Sequence, residues 1–216
     1  MSFNLIVFDL DGTLVDSRRD LADAANAVLV ECGASPLTEE RIGRMVGDGA
    51  ATLVARAFAA CNLAQPADAL ERFLAVYNHQ LLHHTRPYPE MARVLATLEQ
   101  RAALAVLTNK PLAATREILT GLDLATYFPE TAVFGGDGPF ARKPDPSGLQ
   151  RLMAMAGAAP HETLVVGDSI VDWRTARAAK SAMCLARYGF GFETFPLEQI
   201  EPTDRLIDVP IDLLAL

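Results

Sequence analysis

The first apolar segment of the chain, with the polar residues that follow it, limits the fold more than any other feature. Residues 5–8 are an unbroken apolar run, and residues 9–13 read Asp-Leu-Asp-Gly-Thr. A short run without polar alternation is typical of a central parallel strand that is covered on both faces. Because such a strand needs helices on two sides, we expect an α/β fold with Asp9 and Asp11 at the carboxyl end of its first strand.

Residues 16–84 carry helical patterns throughout. Gly33 ends the first pattern, a second helix is expected to begin at Thr38, and the Gly-Asp-Gly of residues 47–49 precedes a third. Pro66 opens a longer amphipathic segment with six apolar residues at helical spacing: Leu70, Phe73, Leu74, Tyr77, Leu81 and Leu82. These patterns predict an inserted, all-helical subdomain.

Strand and helix patterns alternate from residue 86 to the end. This alternation predicts a Rossmann-like, doubly wound parallel sheet. Residues 1–15 plus 85–216 would form that core, with residues 16–84 as the helical insertion. Buried strands are expected at residues 103–107, 132–134, 163–167, 182–186 and 205–208, and helices at residues 90–101, 112–120, 146–156 and 172–179.

The composition excludes several classes of protein. The chain has 216 residues, 50% of them apolar, and a formal net charge of -8. That is enough apolar sequence for a sizeable core, and the acidic balance disfavours nucleic acid and anionic membrane surfaces as partners. The three cysteines form no CxxC pair, which favours reduced thiols and a cytoplasmic protein. The amino-terminal apolar run is too short for a membrane span and lacks the basic region of a signal peptide. The sequence is compatible with either a monomer or a homodimer.

Polar residues follow four of the expected strands, at the edge where an open parallel sheet binds its ligands. Carboxylates that lie close together repel each other unless a cation lies between them, and oxygen ligands suit Mg²⁺. Protein-bound Mg²⁺ commonly takes a substrate phosphate as a further ligand, which points to a small phosphorylated metabolite as the partner. The residues at this edge are Asp9, Asp11, Thr13, Thr108, Asn109, Lys143, Asp168 and Asp172.

These residues carry a resemblance to a known family. Over almost its whole length the chain resembles the haloacid dehalogenase-like superfamily of aspartate-nucleophile phosphotransferases. Within that superfamily, short stretches such as residues 46–50 and 86–89 are similar to the phosphoglycolate phosphatases. The four superfamily motifs occur in order, as residues 9–13, Thr108, Lys143, and residues 167–168 with Asp172.

The resemblance implies a role for each of the main polar residues. Asp9 would be the nucleophile that forms an aspartyl-phosphate, and Asp11 would protonate the leaving group and then activate water. Mg²⁺ would be held by Asp9, the backbone carbonyl of Asp11 and Asp168, with Asp172 orienting that set of ligands. Lys143 would offset the charge that Asp9 and the phosphate accumulate. Three further residues of the core would contact the substrate: Thr13, Thr108 and Asn109. Thr13 would also shape the turn in which it lies.

In the resembled enzymes the inserted segment is a cap, so we call residues 16–84 the cap. Arg44 and the backbone N–H groups of Gly47 and Gly49 are expected to bind a substrate carboxylate when the cap closes. Two of the three lysines, Lys110 and Lys180, are expected on the surface. Relatives usually carry glycine at the position of Lys180, so a different closure of that helix end is expected.

The implied activity is that of a magnesium-dependent phosphatase acting on a small phosphomonoester, with 2-phosphoglycolate favoured. A phosphosugar mutase, a pyrophosphatase and a nucleotidase of the same superfamily stay open, because they use the same core residues. A dehalogenase would lack the carboxylate of Asp11, and residues 16–84 hold no lysine for the Schiff base of a phosphonoacetaldehyde hydrolase. A binding protein without activity would lack a nucleophile or a metal ligand, and neither is missing.

Overall fold

A computed structural model of the chain describes residues 3–216. Six of its strands form one parallel sheet, in the order β5-β4-β1-β6-β7-β8, and β2 pairs with β3 in a separate antiparallel ribbon. All five later strands predicted from the apolar runs are present, with ends that agree within one residue. The strands are β1 (Leu5–Phe8), β2 (Val15–Asp16), β3 (Arg86–Pro87), β4 (Ala103–Leu107), β5 (Val133–Phe134), β6 (Thr163–Gly167), β7 (Ala182–Ala186) and β8 (Arg205–Ile207).

Eight α-helices accompany the strands in the described part of the chain. Four of them, α1 to α4, lie within the cap, and α5 to α8 alternate with the strands of the core. None of the helices in residues 3–216 has the length and apolar composition needed to cross a membrane. The helices are α1 (Arg18–Glu31), α2 (Glu39–Gly43), α3 (Ala50–Ala60), α4 (Ala69–His79), α5 (Met91–Leu98), α6 (Leu112–Gly121), α7 (Ser147–Ala156) and α8 (Ile170–Ala179).

The sheet is buried on both faces, as the unbroken apolar strands predict. Side chains alternate between faces along a strand. Leu5 and Val7 of β1 belong to the apolar cluster that includes residues of α7 and α8. Ile6 and Phe8 belong to a second cluster, which includes α5, α6 and the helices of the cap. The doubly wound α/β architecture is therefore confirmed, and its second apolar cluster is continuous with that of the cap.

The prediction of helix throughout residues 16–84 is wrong at the two ends of that segment. Asp16 pairs with Arg86, and Val15 with Pro87, in the antiparallel ribbon of β2 and β3. At the other end, α4 stops at His79, and Leu81 is buried outside any helix. Two-residue strands are too short to show a periodicity, and a buried turn can carry the same apolar spacing as a helix.

Lys180 ends α8 in the left-handed region, with φ 58° and ψ 30°. Glycine adopts this conformation without the steric cost that a Cβ atom imposes. The helix therefore closes in the way that a glycine would close it, and the expectation of a different closure is wrong.

Asp20 fixes the start of α1 to the segment in which the chain returns from the cap. Its carboxylate is buried and accepts hydrogen bonds from the backbone N–H of His84 at 3.0 Å and from the backbone N–H and hydroxyl of Thr85 at 2.8 and 2.7 Å. The amide of an asparagine would replace two charged oxygens by one neutral oxygen and would turn its N–H₂ group towards the backbone N–H of His84. We expect Asp20→Asn to lower the free energy of unfolding by about 3 kcal/mol. Asp23→Asn, the same change at an exposed position of α1, should stay within about 0.5 kcal/mol of the wild type in the same urea titration. Equal stability of the two variants would contradict this assignment.

Candidate active site

The carboxyl ends of three neighbouring strands meet at one edge of the sheet, because β4 and β6 both pair in parallel with β1. Polar residues that follow these strands in sequence are thereby brought together. A cavity lies beyond this edge, with walls from both the core and the cap. The predicted site residues that line it are Asp9, Asp11, Gly47, Gly49, Thr108, Asn109 and Asp168.

Asp9 is held at the end of β1 by one of its two oxygens. Its Oδ1 accepts a hydrogen bond from the backbone N–H of Leu10 at 2.7 Å and lies 2.8 Å from Nζ of Lys143. The same Nζ donates to Oδ1 of Asp172 at 2.6 Å, and Ser169 Oγ donates to the other Asp172 oxygen at 2.6 Å. Lys143 is therefore fixed between two buried carboxylates, and Asp172 uses both of its oxygens within the protein.

Asp168 lies in a pocket formed by closely packed backbone. Its Oδ2 accepts a hydrogen bond from the backbone N–H of Gly191 at 2.7 Å. Gly12 has φ 84°, and a Cβ atom placed there would lie 1.8 Å from Oδ2 of Asp168. A Cβ atom on Gly189 would lie 2.1 Å from the carbonyl oxygen of Gly12. Only glycine fits at these two positions, so the turn after β1 and the loop after β7 together enclose this carboxylate.

Burial and neighbouring charges raise the pKa values of two carboxylates in this cluster, Asp9 and Asp168. Burial, and after it the charge of Asp172, raises the pKa of Asp9 to about 6. Burial and the charges of Asp172 and Asp9 raise the pKa of Asp168 well above its usual range. Burial acts to lower the pKa of Lys143, but the charges of Asp172 and Asp9 outweigh it and raise that pKa.

This set of residues fits a divalent cation. Oxygen atoms of Asp9, Asp168 and Asp172 lie within 4.8 Å of one another. With Lys143, the three carboxylates carry a formal charge of -2 in a buried place, and hard oxygen donors suit Mg²⁺. Asp9 and Asp168 each keep one oxygen that has no hydrogen bond to residues 3–216, whereas Asp172 keeps none. Asp9 and Asp168 are therefore the better direct ligands.

Asp11 has a different set of partners. The hydroxyl of Ser17 donates to its Oδ1 at 2.5 Å, and Nζ of Lys110 lies 2.8 Å from its Oδ2. The same Nζ donates to the hydroxyl oxygen of Tyr77, on α4 of the cap, at 2.8 Å. Asp9 and Asp11 are thus separated by one residue, but each is paired with its own lysine.

The prediction that Lys110 lies on the surface is wrong. Its side chain is 4% exposed, because Asp11 and Tyr77 give its charged end two partners inside the protein. Only three lysines occur in the chain. That scarcity, together with the position of Lys110 directly after Thr108 and Asn109, is a signal that could have identified it.

The remaining predicted residues of the core lie around the cavity or behind it. The side-chain amide of Asn109 donates to the backbone carbonyls of Gly47 and Lys143 at 2.9 and 3.0 Å, so it joins the cap to the core. Thr108 accepts at its Oγ1 from the backbone N–H of Lys110 at 3.3 Å. Thr13 is fully buried and is not part of the cavity wall. Its carbonyl accepts from the hydroxyl of Tyr188 at 3.0 Å.

Arg44 is not brought to the cavity. Its side chain is 57% exposed, and its Nε lies 3.2 Å from Oε2 of Glu193. Gly47 and Gly49 do line the cavity and both have positive φ. Carboxylate binding by Arg44 therefore stays a prediction that this conformation does not support.

Comparisons with known proteins agree with this geometry. Residues 6–186 match the family model described as haloacid dehalogenase-like hydrolase. A phosphoglycolate phosphatase of Rhodospirillum rubrum is 43% identical over 197 residues, covering 87% of this chain and 81% of that protein. A phosphoglycolate phosphatase of Agrobacterium fabrum is 36% identical over 209 residues, covering 94% of this chain and 88% of that protein. The crystal structure of a predicted phosphoglycolate phosphatase from Haemophilus somnus aligns with a TM-score of 0.90 at 31% identity, covering 100% of this chain and 98% of that one.

Proposed function

The chain belongs to the haloacid dehalogenase-like hydrolase family and is a phosphoric monoester hydrolase, and from this premise we propose that it hydrolyses 2-phosphoglycolate to glycolate and phosphate. The proposal includes an aspartyl-phosphate intermediate on Asp9 and a requirement for Mg²⁺. One observation of the site gives this proposal its main support. Asp9 and Asp11 line the same cavity, and each has its own charged partner, Lys143 or Lys110. Two carboxylates with different partners can take different roles in one reaction.

In the first step one of the two carboxylate oxygens of Asp9 attacks phosphorus. The phosphorus–oxygen bond to the leaving alkoxide breaks, and Asp11 gives the alkoxide a proton. Lys143 stabilises the negative charge that gathers where Asp9 meets the phosphate. Both carboxylates are fixed before substrate arrives, because each has one oxygen bound at 2.5 to 2.7 Å by a neighbouring donor.

In the second step water attacks the phosphorus of the aspartyl-phosphate. Asp11, now ionised, accepts a proton from this water, and the bond between phosphorus and the Asp9 oxygen breaks. Inorganic phosphate leaves, and both carboxylates return to their starting states. Thr108 and the backbone at Asn109 lie on the cavity wall, where they can donate hydrogen bonds to phosphate oxygens.

Asp168 would hold the Mg²⁺ through its free carboxylate oxygen and Asp9 through the oxygen that does not attack phosphorus, with Asp172 positioning Lys143 beside them. Bound there, the ion would offset the charge of the phosphate and of the carboxylates. The support for it is the buried formal charge of -2 on this cluster and the raised pKa values of Asp9 and Asp168.

Metal binding should depend on pH in a defined direction. The pKa of Asp9 is raised to about 6, so below that pH Asp9 holds a proton that Mg²⁺ must displace. In the metal-free protein a raised carboxyl pKa means that the folded state binds more protons than the unfolded state, and stability falls as pH rises from about 4 to about 6. Saturating Mg²⁺ should therefore raise the melting temperature by several degrees at pH 7.5 and by little at pH 5. Calorimetry with EDTA-treated protein checks this, and an equal shift at both pH values would contradict it.

The choice of substrate is supported by the relatives that carry the name phosphoglycolate phosphatase, and it can be tested directly. Phosphate release should be measured for 2-phosphoglycolate, ethyl phosphate, glucose 6-phosphate, pyrophosphate and a nucleoside monophosphate, each with Mg²⁺ and with EDTA. We expect the largest kcat/KM for 2-phosphoglycolate and loss of release in EDTA. A preference for pyrophosphate or the nucleotide, or isomerisation of a sugar phosphate without phosphate release, would overturn the proposal in favour of a pyrophosphatase, a nucleotidase or a mutase.

A further inference from the structure

We propose that Lys110 and Tyr77 bind the carboxylate of the substrate and thereby determine specificity for a short phosphorylated hydroxy acid. This inference rests on the proposed function, which supplies the second anion. The two residues come from different parts of the chain, since Lys110 follows β4 in the core and Tyr77 lies on α4 in the cap. A ligand bound by both would hold the cap against the core.

Lys110 is the one lysine or arginine that lines the cavity among residues 3–216. Three carboxylates, those of Asp9, Asp11 and Asp168, line the same cavity. Lys143 is already shared between Asp9 and Asp172 and is not part of the wall. A second substrate anion in this cavity therefore finds one lysine side chain that can balance its charge.

The pair has hydrogen-bond donors to spare. The ammonium group of Lys110 has three protons, and Asp11 Oδ2 and the hydroxyl oxygen of Tyr77 accept two of them. That hydroxyl oxygen acts as an acceptor, and no hydrogen bond in which it donates its own proton joins it to another group of residues 3–216. Burial raises the pKa of Tyr77 to about 12, so the proton is present at neutral pH. One ammonium proton and one hydroxyl proton are left, and a carboxylate has two oxygens that can accept them.

The distance from Asp11 suits an anion close to the ester oxygen. A general acid lies within about 3 Å of the oxygen that it protonates. With ordinary bond lengths, a carboxylate oxygen of 2-phosphoglycolate lies roughly 3 Å from the ester oxygen. Lys110 Nζ is 2.8 Å from Asp11 Oδ2, so an ester oxygen beside Asp11 places the carboxylate within reach of Lys110. An added methylene group would move the carboxylate away from this position.

Lys110 is better placed than Arg44 to bind a substrate carboxylate in the cavity. The Arg44 side chain is 57% exposed and bound to Glu193, whereas the Lys110 side chain is 4% exposed and lines the cavity. Desolvated charged groups bind a counter-ion more strongly than exposed groups do.

The test compares variants on substrates that differ in the presence of a carboxylate or in its distance from the ester oxygen. Lys110→Met and Tyr77→Phe are assayed with Mg²⁺ on 2-phosphoglycolate, on ethyl phosphate, which has no carboxylate, and on the phosphate ester of 3-hydroxypropanoate, which has one more methylene group. Matched controls are Lys180→Met, at an exposed helix end, and Tyr127→Phe, away from the cavity. A second readout is the inhibition constant of glycolate in ethyl phosphate hydrolysis.

We expect Lys110→Met to lower the preference for 2-phosphoglycolate over ethyl phosphate by about 10- to 100-fold, and Tyr77→Phe by about 10-fold. Both should weaken inhibition by glycolate by similar factors, and the wild type should prefer 2-phosphoglycolate to its longer homologue. The control variants should keep the wild-type preference. If Lys110→Met fails to fold, Tyr77→Phe alone decides the question, because it removes only a hydroxyl group.

Two kinds of failure can be told apart. A wild-type protein that does not hydrolyse 2-phosphoglycolate overturns the proposed function. If the wild type is active but each variant loses the same factor on all three substrates, Lys110 and Tyr77 act only by positioning Asp11, and the carboxylate assignment is overturned. Loss of the preference in Arg44→Ala but not in Lys110→Met would also overturn it.

Discussion

Asp9→Asn is expected to lower kcat for phosphate release by about 10⁴-fold or more, while the protein stays folded. A neutral amide is a poor nucleophile, so the covalent step fails even when substrate is bound. Lys143 keeps Asp172 as a partner in this variant, and one buried negative charge is removed, which favours an intact fold. Single-turnover assays with 2-phosphoglycolate, and circular dichroism for the fold, measure the two parts of this expectation.

The control for this variant is Asp23→Asn, which makes the same chemical change at an exposed position of α1 and should keep wild-type turnover. The Mg²⁺-dependent rise in melting temperature should shrink in Asp9→Asn, because one proposed ligand has lost its charge. Near-normal phosphate release by the folded Asp9→Asn protein would show that the nucleophile lies elsewhere.

Asp11→Asn is expected to lower kcat on 2-phosphoglycolate by about 10²- to 10⁴-fold, through loss of both proton transfers. The effects of the variant on the two steps can be measured separately with a substrate whose leaving group needs no proton. With p-nitrophenyl phosphate, the first step should be slowed about 10-fold or less, whereas attack of water on the aspartyl-phosphate should be slowed as strongly as with any substrate. Rapid mixing should therefore show a burst of about one p-nitrophenol per protein molecule, followed by slow turnover.

The absence of a burst, together with equal losses for the alkyl and aryl substrates in single-turnover assays, would rule out Asp11 as the general acid. The amide oxygen of the Asp11→Asn variant can accept from Ser17 or from Lys110 but not from both in the way that the two carboxylate oxygens do, so circular dichroism should accompany these assays to show that the fold is kept. Trapping the aspartyl-phosphate on Asp9 by mass spectrometry during the slow phase would place the covalent bond directly.

The parts of the fold that were predictable from the sequence depend on local patterns. Strands such as β1 and β6 are short apolar runs buried on both faces, and each is followed by polar residues in the turn. That arrangement predicted the sheet and the edge at which these polar residues meet. The pairing of Val15 with Pro87 was not predictable, because it joins two segments 72 residues apart through strands of two residues each.

The structure departs from the predictions for Lys110 and Arg44 for a similar reason, because the partners of both side chains are distant in the sequence. Lys110 looked like a surface residue because its partners, Asp11 and Tyr77, are distant in the sequence. Arg44 was placed near the substrate on a local motif, but Glu193, 149 residues further along, binds its guanidinium group. A charged side chain pairs with an oppositely charged group that is near it in the folded protein, and sequence spacing carries little information about which group that is.

The ribbon of β2 and β3 brings the two ends of the cap side by side, and this has a consequence for how the enzyme can diverge. Asp9, Asp11, Lys143 and Asp168 all lie outside the segment between the two strands of the ribbon. Mutations within that segment can therefore accumulate without changing these four residues. A lineage can in this way gain a new substrate while it keeps the same reaction. Two residues of the segment are exceptions: Ser17, whose hydroxyl group donates to Asp11, and Tyr77, whose hydroxyl group contacts the lysine paired with Asp11. A lineage that changes its substrate is expected to change Tyr77 and Lys110 together, and this pair should record the divergence of specificity among descendants of a common ancestor.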